Sequence, residues 1–144
     1  MFRKNLRVMY VVVGVCVMIL ACGCISANQP DPETGVIAWI HAINAHDVSG
    51  LYNLAPESIR DQVSLNRFSN ANANNSLLTQ DKAIVDYKVL NETRNETMAN
   101  LHMMIVLKQN VSANSTQTET IPLYLNFEEW YESGEWKVWT IPWS

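Results

Sequence analysis

Few groups in this 144-residue chain could move a proton near neutral pH. Its histidines are His41, His46 and His102, and Asp47, Asp86, Tyr87 and Tyr124 complete the set of acid–base candidates. General acid–base catalysis needs such a group within hydrogen-bond reach of its substrate and tuned toward the working pH. His41 and His46 are five positions apart, a poor spacing for two metal ligands on one helix face. Both read as boundary residues beside an apolar stripe. Asp47 stands where a helix needs an N-cap. Asp86 and His102 alternate away from the apolar faces of their strands, whereas Tyr87 shares one, where tyrosine often fills core. Glu128, Glu129, Glu132 and Glu135 cluster near the last hairpin, but without the alternating ligand loop of an EF-hand. They read as a solvated acidic turn. There is no glycine-rich phosphate loop, no HExxH and no supported Ser–His–Asp arrangement. The sequence therefore assigns no catalytic residue, no metal and no cofactor.

The N-terminus carries an address. Arg3, Lys4 and Arg7 precede an apolar run from Val8 to Ala21, followed by small residues, Cys22 and Cys24. This is the order of a secretory signal. A spanning helix needs about 20 apolar residues, which extension to Ile25 would supply, so a retained anchor is the alternative. Ile19-Leu20-Ala21-Cys22 and Ala21-Cys22-Gly23-Cys24 both resemble the lipobox of prokaryotic lipoproteins, which implies lipidation at Cys22 or Cys24; both assignments stay open. Basic residues stay cytoplasmic, which places the remaining chain on the extracytoplasmic face of the cell membrane. No cysteine follows Cys24, so the mature part has neither disulfides nor a catalytic thiol. Loss of the three basic residues leaves seven Lys/Arg against fourteen Asp/Glu, a net charge near −7. That balance disfavours nucleic acid as a partner. Five N-x-S/T sequons, at Asn74, Asn91, Asn95, Asn110 and Asn114, fit glycosylation of an exported protein. Asparagine's preference for turns predicts the same placement. Lipobox and sequons together resemble archaeal envelope lipoproteins.

Residues 1–24 are thus read as signal peptide or anchor, 25–32 as a polar tether without fold of its own, and 33–144 as one domain. Its helices come first. Asp31, Pro32 and Glu33 form an N-terminal signal, and Val36, Ile37, Trp39, Ile40 and Ile43 share a face. A helix to about Ala45 follows. Asp47 caps a short second helix with Leu51 and Leu54. Pro56 opens a third helix with the stripe Ile59, Val63 and Phe68, and the run Ser69 to Ser76 reads as a loop.

After Thr79 the period changes from helical to twofold. Ala83, Val85, Tyr87 and Val89 share a face. Ala99, Leu101, Met103, Ile105 and Leu107 share another, as do Ile121, Leu123, Leu125 and Phe127. Trp136 to Ile141 forms the last strand. One apolar face per strand is the mark of an antiparallel sheet with one side on a core. The links are hairpin-sized.

Three helices before a four-stranded meander make an α+β fold. The order of elements, the segment AWIHAINAHDVSGLYNLAP and the ending SGEWKVW resemble the cystatin-like fold of the nuclear-transport-factor-2-like superfamily. That resemblance implies a curved sheet wrapped around the long helix, with a cone-shaped pocket. It also implies an acid–base alternative, because enzymes of the superfamily place an Asp or an Asp–His pair in the cone. No such pair of this chain matches a family motif.

Strand alternation divides the C-terminal tryptophans. The resemblance implies that Trp136 and Val138 take the core face; Trp139, Ile141 and Trp143 then fall opposite, where Met104, Val106 and Tyr124 also lie. An outer apolar patch of that size suits a homodimer interface or an envelope protein partner. A carbohydrate platform or cover by the chain's own tail are the alternatives. The expected role is a membrane-anchored, non-enzymatic module for ligand binding or association; the rival is a small isomerase-like or dehydratase-like enzyme acting on an apolar molecule.

Overall fold

The computed structural model describes residues 29–78, 81–111 and 116–139. The segment of residues 1–24 with Cys22 and Cys24, and likewise Asn114, Ile141 and Trp143, lie outside the described residues. The protein is α+β: helices α1 (Glu33–Asn44), α2 (Val48–Leu54), α3 (Glu57–Arg60) and α4 (Leu65–Asn72), one 3-10 turn (Ser76–Leu78), then strands β1 (Lys82–Arg94), β2 (Met98–Asn110), β3 (Thr118–Glu132) and β4 (Glu135–Trp139). The strands form one antiparallel sheet in the order β1-β2-β3-β4. No helix among the described residues is long and apolar enough to cross a membrane.

Helix ends follow local chemistry. The Asp31 carboxylate accepts from the Glu33 N–H at 3.1 Å, and its carbonyl accepts from the Thr34 N–H at 2.9 Å. At the other end of α1, the N–H of Asp47 bonds Ala42 and that of His46 bonds Ile43. This is a Schellman closure, and His46 supplies the left-handed residue with φ of 54°. Asp47 then caps α2, accepting from the Gly50 N–H at 2.8 Å. The expected third helix is two helices. Ser64 accepts from the Arg67 N–H at 3.3 Å and starts α4 afresh. Part of the expected loop, Ser69 to Asn72, is still helical.

Helix α1 crosses one face of the sheet. Val36, Trp39, Ile40 and Ile43 meet Leu101, Met103, Ile105, Phe127, Trp136 and Val138 in the core. The Trp39 and Phe127 rings meet edge-on, with centroids 5.1 Å apart. Among the described residues this core lies within residues 36–138, so the chain from residue 25 onward carries it entire. The far end of α1 is clasped to the edge strand. The Asn44 amide donates to the Ile84 carbonyl at 2.9 Å and accepts from the Ile84 N–H at 2.8 Å.

The β2 and β3 faces are those expected. In β1, register shifts fall between Ile84 and Asp86 and between Val89 and Asn91. Bulges there turn Val85 outward, 53% exposed, and bring Ile84 into the core instead. The β3–β4 link is the two-residue turn Ser133-Gly134, with φ of 54° and 89°. Positive φ at both positions is what a twisted hairpin needs.

Residues 29–32 are not a free tether. The Trp136 indole N–H donates to the Pro30 carbonyl at 2.7 Å, the Gln29 amide donates to the Glu96 carbonyl at 3.2 Å, and Pro32 is fully buried. A buried indole N–H needs an acceptor, and the strap supplies it.

Candidate functional site

A cavity of about 680 Å³ opens between the helices and the end of β4. That volume lies within the range of small-molecule sites, roughly 300–1,000 Å³. Trp39 and Ile43 of α1, Leu51 of α2 and Val138 of β4 supply its apolar floor. Phe68 and Trp139 flank it, their ring centroids 6.5 Å apart. Gln62, Arg67 and Asn72 to Ser76, apart from Ala73, stand on its rim.

The break between α3 and α4 makes this wall possible. The Tyr52 hydroxyl is 2.8 Å from the Val63 carbonyl and 3.1 Å from that of Arg60, which ties the turn to α2. Tyr52 also packs on Phe68, with centroids 5.7 Å apart. The asparagine-rich run is equally organised. Asn72 donates to the Phe68 carbonyl at 2.9 Å, Asn75 donates to Asn72 at 3.1 Å, and the Leu77 N–H donates back to Asn75 at 3.0 Å. Leu77 is thereby held in the core.

None of the sequence's acid–base candidates lines this cavity, and the structure does not bring them together. His41 is exposed beside a shallow groove with Asp47. His46 ends α1, with its Nδ1 buried and unbonded. Asp86 is exposed and accepts from the Tyr87 N–H at 2.9 Å. His102 lies on the outer sheet face, 2.7 Å from Asn126 Oδ1 and stacked over Tyr124. Tyr87 is half-buried; burial first, and then the Glu33 carboxylate beside it, raise its pKa. Among the described residues no three His, Cys, Asp or Glu side chains could hold a metal ion.

The titratable group that sequence reasoning missed is Glu129. It was expected in a solvated turn; it is fully buried. The reason is strand length. β3 runs on to Glu132, so the inward phase of Leu123, Leu125 and Phe127 continues through Glu129, which sits between Ala99 and Val138 in the sheet. Extending the alternation by one step would have found it. Neither carboxylate oxygen has a hydrogen-bond partner among the described residues. Gly35 leaves room for it: a Cβ at position 35 would stand 3.0 and 3.1 Å from the two oxygens. Burial, with Glu92 and then Asp31 adding negative charge, pushes the pKa up to about 8.

Trp136 and Val138 face the core, each 3% exposed. Trp139 pairs with Glu128 on the outer face by register, yet its ring reaches Phe68 and the cavity. It is therefore half-covered by α4 instead of lying on an open sheet face. Of the sequon residues, Asn74, Asn91, Asn95 and Asn110 are exposed, and Asn74 stands on the cavity rim.

No family model matches this chain, and no curated protein matches it. Among solved structures it is similar to a SEC-C motif containing protein from Rhodopseudomonas palustris, with 8% identity and a TM-score of 0.44. The match covers 68% of this chain and 66% of that protein, a similarity too loose to bear on function.

Proposed function

We propose that this protein is a membrane-anchored extracytoplasmic lipoprotein whose cystatin-like domain is a non-enzymatic binding module, holding a small apolar molecule in the cavity beside β4. The cavity carries this reading. Its floor is apolar and aromatic, and among the described residues its wall contains no carboxylate and no histidine. The long first helix laid across a four-stranded meander supports the cystatin-like assignment. The acid–base rival needs an inward titratable group lining a cavity. Glu129 is inward and shifted, but it is not among the cavity's lining residues.

The binding half is tested on the chain from residue 25 onward. Addition of 1-decanol is expected to shift the emission of Trp39 and Trp139 to shorter wavelength and to raise the melting temperature by linkage. Ala71→Phe, which fills the cavity from α4, should remove both effects. Unchanged emission and melting temperature at saturating 1-decanol would end the reading. The anchor half is tested by the mass of the native protein, expected to begin at an acylated Cys22 or Cys24. An intact Met1 would exclude lipidation.

One observation favours an association reading beside it. Tyr124 is 62% exposed on the outer sheet face, near Met104 and Val106. A strict monomer in sedimentation at high concentration would remove the homodimer.

A further inference from the structure

We propose that the cavity selects an amphipathic anion, with a carboxylate held by Arg67 at the rim and an apolar body laid on Trp39, Leu51 and Val138; this rests on the binding reading above. Three observations carry it. First, the wall is cationic in an acidic protein. The chain has fourteen Asp/Glu against ten Lys/Arg, yet the cavity is lined by Arg67 and by no acid.

Second, the Arg67 guanidinium is uncommitted to any described residue, where Gln62, Asn72 and Asn75 are not. Gln62 donates to the Ser58 carbonyl at 2.9 Å, and Asn72 and Asn75 are bonded to each other and to backbone. Among the other cations of the described residues, Arg94 pairs with Glu92 at 3.3 Å and Lys137 with Glu135 at 2.8 Å, whereas Arg67 is the one that lines the cavity. Arg67 makes no salt bridge to any described residue. A rim built to hold a sugar would present several free amides; here those of Asn72 and Asn75 are folded into the rim's own turns.

Third, polarity is graded along the cavity. Trp39, Ile43, Leu51 and Val138 are buried at its floor, whereas Arg67 is exposed at its mouth. A ligand entering tail-first buries its apolar part and leaves its head beside the guanidinium. The planar guanidinium matches a carboxylate with two parallel hydrogen bonds. A partly exposed charged bond of this type is worth about tenfold in affinity.

The test compares three probes of equal chain length on the chain from residue 25 onward, read by tryptophan emission at fixed ionic strength. Decanoate should bind about tenfold more tightly than 1-decanol, and decyltrimethylammonium more weakly than either. Arg67→Gln should erase the decanoate advantage, bringing the decanoate and 1-decanol affinities of that variant together; Arg67→Lys should keep part of it. Circular dichroism and urea unfolding establish that both variants are folded, which an exposed helix position permits. Equal affinity for decanoate and 1-decanol, or an advantage that survives Arg67→Gln, overturns the anion assignment and leaves the cavity as a neutral apolar site. Failure of all three probes overturns the binding reading itself.

Discussion

Exchanging Glu129 for methionine is expected to raise the unfolding free energy at pH 8.5 by about 4 kcal/mol and to flatten its dependence on pH. The carboxyl is fully buried between α1 and the sheet, with neither oxygen hydrogen-bonded to a described residue. An ionised carboxylate there loses its hydration without replacement, so the folded protein keeps the proton up to a pKa of about 8. The unfolded chain releases it near the ordinary value of 4.5. Below the lower value both states carry the proton, and the group contributes no pH dependence. Between the two values the folded state binds one more proton than the unfolded state, so stability falls as pH rises, by about 1.4 kcal/mol per unit. Above the higher value the slope vanishes, but the loss remains. Methionine fills a similar volume without a polar group. Glutamine also removes the slope, yet buries unpaired donors and should gain less. Urea unfolding at pH 5 and pH 8.5, followed by tryptophan emission, measures both quantities. A methionine variant with the parent's slope would show that some other group titrates.

The same residue marks where sequence pattern stops being legible. A period of two places Leu123, Leu125 and Phe127 inward, and both β2 and β3 obey it. Continuing the period to Glu129 requires burying a carboxyl, which sequence reasoning resists because charge normally seeks water. The structure resolves the conflict through protonation, a property of the packed state. In β1 the alternation Ala83, Val85, Tyr87, Val89 is regular in sequence, but the bulge at Val85 breaks it in space. A bulge depends on what the neighbouring strand and Asn44 offer, 40 residues away. Helix caps are local, and Asp31 and Asp47 act as their positions dictate. Ser64 carries the same signal, but the stripe Ile59, Val63, Phe68 runs across it and masks the break. The resemblance implied a pocket, but the place and lining of this cavity were not legible for another reason. It is the gap left where α2 and α4 pack beside β4, and no single segment encodes a gap.

Replacing Trp136 tests the longest-range of these dependences. Trp136→Ala is expected to cost about 3–5 kcal/mol, the usual loss for a large buried ring. The indole is 3% exposed, packs 5.2 Å from the Tyr131 ring, and abuts α1 so closely that a Cβ on Gly35 would stand 3.1 Å from its own Cβ. Trp136→Phe keeps most of that packing and removes the 2.7 Å bond to Pro30, 106 residues away in the chain. It should cost about 1–2 kcal/mol and, at a temperature where the domain stays folded, should expose residues 29–32 to limited proteolysis. Undiminished protection in the phenylalanine variant would mean that Pro32 burial and the Gln29 bond hold the strap without the indole.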